Sequence, residues 1–169
     1  MVKILIAQKL PRITKKRKWL EKKLNIKITN RGKEVKIDGS PENEYLAEKV
    51  IDAIDFGFEY SDAIKIKDED FEFEKINIKE YTKRQDLVTV RARIIGTKGK
   101  TLNTIGQLTN CTLELKDNQV GIVGPIETIK NAQDAVILIV QGAKQSNAYR
   151  FLEKNQPKPI IDLGLKEKK

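Results

Sequence analysis

The segment Arg93-Ile94-Ile95-Gly96-Thr97-Lys98-Gly99-Lys100-Thr101 gathers the residue types that handle a phosphate. Two glycines three positions apart, between an apolar pair and a helix start, let the backbone turn sharply and approach a ligand that a side chain would block. Amides at the head of the following helix add partial positive charge, and Arg91, Arg93, Lys98 and Lys100 add full charges. Gly99-Lys100-Thr101 also resembles the end of a Walker A motif, which needs a glycine five positions before Gly99. That position is Ile94, so nucleotide hydrolysis is disfavoured. A lone Gly-x-x-Gly serves as readily as an unliganded helix cap, so its meaning depends on the elements around it.

Composition removes most rival chemistries. The chain has 169 residues, with 33 Lys+Arg against 24 Asp+Glu, no histidine, one cysteine and a net charge of +9. There is no imidazole for a nucleophile pair or a metal site, and one thiol makes neither an internal disulfide nor a zinc cluster. Any catalysis would rest on carboxylates and lysines. Asp68, Asp70 and Glu72 would be the ligands of a Mg²⁺-dependent nuclease, but in an acidic stretch a solvated linker is the better reading, so no enzyme, metal or cofactor is expected. No window approaches the apolar length that spans a bilayer, which points to a soluble cytoplasmic protein. A pI near 9.5 with few aromatics points to an anionic partner, most simply nucleic acid.

An internal repeat organises the chain. Val35-Lys36-Ile37-Asp38-Gly39 returns as Val120-Gly121-Ile122-Val123-Gly124, an offset of 120 − 35 = 85 that also aligns Ile28 with Leu113, Ala47 with Ala132, Ile51 with Val136 and Ile54 with Ile139. In the second copy, Leu87 to Arg93 reads as a strand and Lys100 to Asn110 as a helix with Leu102, Ile105 and Leu108 at helical spacing. Strands follow at Cys111 to Leu115 and Val120 to Val123 around a turn at Asp117-Asn118, and Gly124-Pro125 opens a helix to Gln141. The first copy repeats this with a strand at Lys3 to Ala7, a helix around Thr14 to Leu24, strands at Ile26 to Thr29 and Glu34 to Ile37, and a helix from Pro41 to Phe56. The expected class is α+β, each unit burying one face of a three-stranded antiparallel sheet under its helices. The expected division is a first unit at 1–64, an acidic and apolar connector at 65–86, a second unit at 87–153 and a basic tail at 154–169. Val136 to Val140 is apolar at every position, which predicts a second buried face on the last helix, packed against the first copy as a rigid pair.

Under the same offset the loop of the first copy falls on Pro11-Arg12-Ile13-Thr14, where the glycines are lost. Lys9 to Lys27 nevertheless carries nine positive residues opposed by Glu21 alone. Arg12, Lys15, Lys16, Arg17 and Lys18 are therefore candidates for a secondary, nonspecific RNA-backbone patch, with an ordinary solvated helix face as the alternative. Trp19 is assigned to core or interface rather than to base stacking.

Strand, Ile-Ile-Gly-x-x-Gly-Lys, amphipathic helix, two strands and a long helix together resemble the type I KH domain, so the chain reads as two tandem βααββα KH units, the first degenerate. That resemblance implies a Gly96-Thr97-Lys98-Gly99 clamp on single-stranded backbone, a groove lined by Ile94, Ile95 and Leu113, and phosphate or base contacts from Arg91, Arg93 and Lys100. With the Val-Gly-Ile-Val-Gly-Pro turn and Ser146-Asn-Ala-Tyr149-Arg150-Phe151-Leu152-Glu153, the chain from Lys3 to Lys154 is similar to the archaeal counterparts of the partner-of-Nob-one (Dim-two) ribosome-assembly family. The resemblance implies binding near the 3′ end of small-subunit rRNA and partnership with the Nob-one endonuclease and the alpha subunit of translation initiation factor two. A general KH adaptor, for example in RNA decay, and a protein scaffold with an incidental basic surface are the rival readings.

Overall fold

The computed structural model describes residues 2–157; most of the basic tail, residues 158–169, lies outside the described residues. The first half runs β1 (Val2–Ile6), α1 (Leu10–Lys15), α2 (Arg17–Leu24), β2 (Lys27–Arg31), β3 (Glu34–Asp38) and α3 (Pro41–Phe56). A short α4 (Tyr60–Ala63) and a 3-10 turn (Ile64–Lys67) lead to β4 (Phe71–Asn77). Then come α5 (Leu87–Ile95), α6 (Lys100–Thr109), β5 (Thr112–Lys116), β6 (Gln119–Pro125), α7 (Ile126–Val140) and α8 (Gln145–Lys154). The strands form two three-stranded antiparallel sheets, β1-β3-β2 and β4-β6-β5, so the α+β reading holds.

The repeat is real but not ungapped. Val35 stands opposite Asn30 and Val120 opposite Leu115, which keeps the offset of 85. On the other flank Val35 faces Leu5 whereas Val120 faces Ile76, and 5 + 85 − 76 leaves β4 14 positions upstream of where the offset puts it. The strand expected at Leu87 to Arg93 is therefore a helix, and the strand it was to supply lies inside the expected connector. Local propensity misleads here because Val88, Val90, Ile94 and Ile95 are β-branched. Burial decides: Val90 and Ile94 are core while Val88 is 67% exposed, a helical and not an alternating pattern. Asp86 caps this helix by accepting from the Thr89 hydroxyl and, at 3.3 Å, from the Thr89 amide, and these hydrogen bonds, the hydroxyl's first, hold its carboxyl below the ordinary range.

β4 is amphipathic in both directions. Phe73 joins the core of the first half, whereas Ile76, with Ile78 just beyond the strand, joins the core of the second. The outer face of the β4-β6-β5 sheet thus rests on the first half, where Phe56, Phe58 and Phe73 form an aromatic cluster with ring centroids 5.5 to 6.0 Å apart. Gly121 makes this approach possible, since a Cβ there would stand 2.7 Å from the Phe56 ring. Lys75 and Asp52, 2.7 Å apart, bridge the rim.

The second buried face of α7 exists, but the first half does not cover it. α8 does, placing Ala148 and Leu152 in the same core as Ala135, Val136, Ile139 and Val140. In the first half the helix expected around Thr14 to Leu24 is two helices, α1 and α2, meeting at Lys16. Asp55 of α3 anchors the start of α1 by accepting the Gln8 and Lys9 amides at 3.1 and 2.6 Å.

Candidate nucleic-acid interface

α5 and α6 are joined by Gly96 to Gly99, and three of these four residues have positive φ. Gly96 (φ 75°, ψ 177°) is in a region that side chains avoid, Lys98 (φ 55°) is left-handed, and Gly99 (φ 76°) is left-handed at the helix start. Gly96 donates to the Ala92 carbonyl at 2.9 Å, ending α5, while Gly99 donates to Gly96 at 3.3 Å, closing a single turn. A Cβ on Gly96 would come within 2.8 Å of both Cβ and N of Thr101, so the loop lies flat on the first turn of α6. A Cβ on Gly99 would meet only Asn103, at 3.9 Å. No side chain caps α6, which leaves its leading amides facing out beside the exposed Thr97, Lys98 and Lys100. Backbone donors and exposed cations at one convex turn are the chemistry that suits an anion.

Below the loop a cleft of about 440 Å³ runs between α6 and β5, lined by Leu102, Asn103, Gly106, Gln107, Asn110 and Thr112 to Glu114. Gly106 sets its depth, because a Cβ there would be 2.7 Å from the Cys111 carbonyl. Among the described residues β5 pairs with β6 alone, so its other edge offers backbone donors and acceptors to whatever fills the cleft. Lys65 reaches the same cleft from the first half. Burial and the neighbouring carboxylates Glu59 and Asp62 push the Glu114 carboxyl up, with Arg12 and Lys9 opposing.

The sequence-selected residues divide. Thr97, Lys98 and Lys100 are exposed at the loop, Ile95 is 36% exposed beside it, and Leu113 lines the cleft. Ile94 is fully buried in the second core and lines no groove. Arg93 spends its guanidinium on the α7 terminus, donating to the carbonyls of Ile139 and Ala143, while Gln145 donates to the Arg93 carbonyl at 3.0 Å. It holds the end of α5 in place and thereby aims the loop. Arg91 donates to the Asn118 side chain at 2.7 Å, fixing the β5-β6 turn against α5. Asn103, Gln107 and Asn110 went unselected, although their i, i+4, i+7 spacing marks one polar stripe on α6.

Pro11 to Thr14, aligned with the loop by the ungapped repeat, is helical, and the true counterpart of the four-residue loop is the single residue Lys16. Lys15, Lys16, Arg17 and Lys18 are exposed around this corner. Arg12 is committed elsewhere, donating to the Phe58 carbonyl at 2.8 Å and lying 5.9 Å from the centre of the Tyr60 ring. Trp19 packs partly buried on the first core, edge-on to Tyr60 at 6.3 Å. Among the described residues no helix is long and apolar enough to cross a membrane, and no carboxylate cluster is arranged to hold a metal ion.

Residues 72–157 match the family model for the second KH domain of Pno1, a eukaryotic-type KH domain (KH-domain type I). A KH domain-containing protein of Methanocaldococcus jannaschii is 29% identical over 154 residues, covering 84% of this chain and 66% of the relative. The RNA-binding protein pno1 of Dictyostelium discoideum is 27% identical over 141 residues, covering 77% of this chain and 58% of the relative. The chain thus spans about two thirds or less of these curated relatives. Dim2p of Pyrococcus horikoshii, 26% identical, superposes with a TM-score of 0.84 over 91% of this chain and 99% of its own. The same protein in an a/eIF2alpha–aDim2p–rRNA complex gives a TM-score of 0.83 over 92% of this chain and 94% of its own. A glycine loop of this geometry, on this element order and with these relatives, makes the chain a member of the Pno1/Dim2 family of type I KH-domain proteins.

Proposed function

We propose that the protein binds single-stranded RNA and acts in assembly of the small ribosomal subunit, at the 3′ region of its rRNA. The observation that carries the reading is the Gly96–Gly99 turn, whose outward amides and lysines stand directly above a cleft bounded by the free edge of β5. Phosphates sit on the turn and bases enter the cleft, which suits one strand and excludes a duplex. The two halves act as tandem KH units held rigidly by the Phe56, Phe58 and Phe73 cluster. The first supplies Lys15 to Lys18 as a nonspecific backbone contact. Its relative's presence in a complex with rRNA and a/eIF2alpha supports rRNA and the initiation-factor subunit as partners. Partnership with a Nob-one-type endonuclease follows from the family and from the rRNA end that such an enzyme cuts; this chain positions RNA and leaves cleavage to that partner, in the cytoplasm.

The test compares a 3′-terminal small-subunit rRNA oligonucleotide with a scrambled one at several salt concentrations. A slope of log K against log salt of about −0.7 per neutralised phosphate predicts roughly −2 to −5 for the loop and a few flanking lysines. Changing Thr97 and Lys98 together to Asp should abolish preference for the natural sequence with melting unchanged, whereas changing Lys16 and Arg17 to Asp should weaken both oligonucleotides alike. Equal affinity and slope for natural and scrambled RNA would reduce the protein to a general KH adaptor.

A further inference from the structure

We infer that Gln145 and Tyr60 are positioning residues, each aiming one of the two helix corners that meet RNA; the inference rests on the RNA-binding reading above. The corners themselves differ, four residues in the second half and Lys16 alone in the first, yet both halves keep one reciprocal pair of hydrogen bonds behind them. In the second half Arg93, in the last turn of α5, donates to the Ala143 carbonyl, and two residues beyond that acceptor Gln145 donates back to the Arg93 carbonyl at 3.0 Å. In the first half Arg12, in the last turn of α1, donates to the Phe58 carbonyl at 2.8 Å, and two residues beyond it the Tyr60 hydroxyl donates back to the Arg12 carbonyl at 2.7 Å. Ala143 and Gln145 follow Phe58 and Tyr60 by the offset of the repeat (143 − 58 = 85; 145 − 60 = 85). Each pair comes directly after a glycine at positive φ, Gly57 or Gly142, just past the end of the long helix.

A brace shared by two unlike corners fixes where a corner points rather than what it is made of. Behind the Gly96–Gly99 turn lies an open groove of about 370 Å³, lined by Thr89, Ala92, Arg93, Gly96, Thr97 and Gln145, so packing does not hold the turn from that side. Hydrogen bonds do. The Arg93 carbonyl belongs to the last turn of α5, where helical acceptors run out of amides, and Gln145 supplies the missing donor. In the first half the donor is carried by a ring whose centre lies 5.7 Å from the Lys16 ammonium and which stands edge-on to Trp19 at 6.3 Å. Gln145 thus holds the turn that presents the amides and lysines of the second half, and Tyr60 holds the corner that presents Lys15 to Lys18 in the first. Neither side chain is charged or needs to touch RNA. Each acts through the carbonyl of its arginine, by keeping the corner in its binding geometry before RNA arrives.

The experiment uses the full chain and two near-isosteric variants that each remove one donor, Gln145→Met and Tyr60→Phe. Binding of the fluorescein-labelled 3′-terminal rRNA oligonucleotide and its scrambled partner is read by anisotropy, and amide exchange of the free protein by mass spectrometry. Exchange over residues 96–100 should quicken in Gln145→Met alone and over residues 15–18 in Tyr60→Phe alone, with the rest of the chain at wild-type rates. Gln145→Met should bind the natural oligonucleotide about threefold to tenfold more weakly, the range for one neutral hydrogen bond, and lose less on the scrambled one. Its salt slope should match wild type, because no cation has left the site. Tyr60→Phe should weaken both oligonucleotides alike. A variant whose own corner exchanges as in wild type, or exchanges faster with RNA binding unchanged, would overturn the inference for that corner and leave RNA binding standing. Failure of wild type to bind either oligonucleotide would overturn both.

Discussion

Gly96 and Gly99 look equivalent in the motif, but the structure makes them unequal, and alanine substitution separates them. At Gly99 (φ 76°, ψ 11°) the only obstacle is left-handed backbone, because an added Cβ finds nothing nearer than Asn103 at 3.9 Å. That costs about 1–2 kcal/mol. At Gly96 the backbone (ψ 177°) is outside even the left-handed well, a strain of about 1–3 kcal/mol. The new methyl also collides with the buried Thr101, whose Cβ and amide nitrogen would both lie 2.8 Å away, so backbone must move. Overpacking of that kind adds about 1–3 kcal/mol. Gly96→Ala should therefore cost about 2–6 kcal/mol in urea unfolding, at least twice the loss from Gly99→Ala. A loss of 1 kcal/mol lowers Tm by about 2–4 °C in a chain of this size, so the two variants separate in a thermal melt. Replacing Thr101 with Ala as well removes part of the collision, so the Gly96→Ala/Thr101→Ala pair should show a favourable coupling of about 1 kcal/mol. Equal destabilisation by the two glycine variants, or strict additivity with Thr101→Ala, would refute the reasoning.

Two further outcomes follow from titratable groups. Burial pushes the Cys111 thiol up, and a Cβ on Gly124 would stand 2.9 Å from the Cys111 Cβ, so the sulfur is enclosed. Iodoacetamide should label it only in denaturant, and labelling in the native state at the rate of free cysteine would contradict the packing. Burial raises the carboxyl of Glu114 above its ordinary value of 4.5, so the folded state holds that proton more tightly than the unfolded chain does. Its contribution to stability is therefore lost as pH rises through the window between the two values. Glu114→Gln should melt above wild type at pH 7 to 8, with the gap closing below about pH 4.5, and an unchanged gap across that range would contradict the assignment.

Within each unit the stretch from its second strand to its long helix was legible, because Val35 to Ile37 and Val120 to Val123 lie on central strands whose apolar residues are fixed by packing. The start of the second unit was not. Leu87 to Ile95 carries β-branched residues in a helix that tertiary burial of Val90 and Ile94 stabilises against propensity. β4 was hidden because an edge strand tolerates Glu72, Glu74 and Lys75 on its borders, and these gave the segment the composition of a linker. The sharp, exposed turn carrying Thr97 and Lys98 was legible from the glycine spacing, since φ requirements are local. The structural use of Arg93 was invisible, because its acceptors Ile139 and Ala143 lie some fifty positions away and no local pattern signals them. Asn103, Gln107 and Asn110 were legible in principle, as a stripe of amides on a helix whose opposite face is core.

The two halves make the same helix-to-helix junction in different ways. Both build the same turn from one helix to the next, and the first half does it with Lys16 alone at φ −112°, ψ 19°, a conformation without positive φ. The fold therefore does not require the longer loop. The second half spends four residues on the same junction and holds Gly96, Lys98 and Gly99 at positive φ, with Lys98 carrying left-handed strain of about 1–2 kcal/mol that no packing interaction needs. Strain that a sibling unit avoids at no loss of architecture is retained for the geometry it creates. That geometry is a flat turn with its amides outward, locked from behind by Arg93 and Gln145 to the α7-α8 connection. The first half, relieved of this strain, keeps its cations but not the oriented amides. It can attract a phosphate backbone without fixing its register.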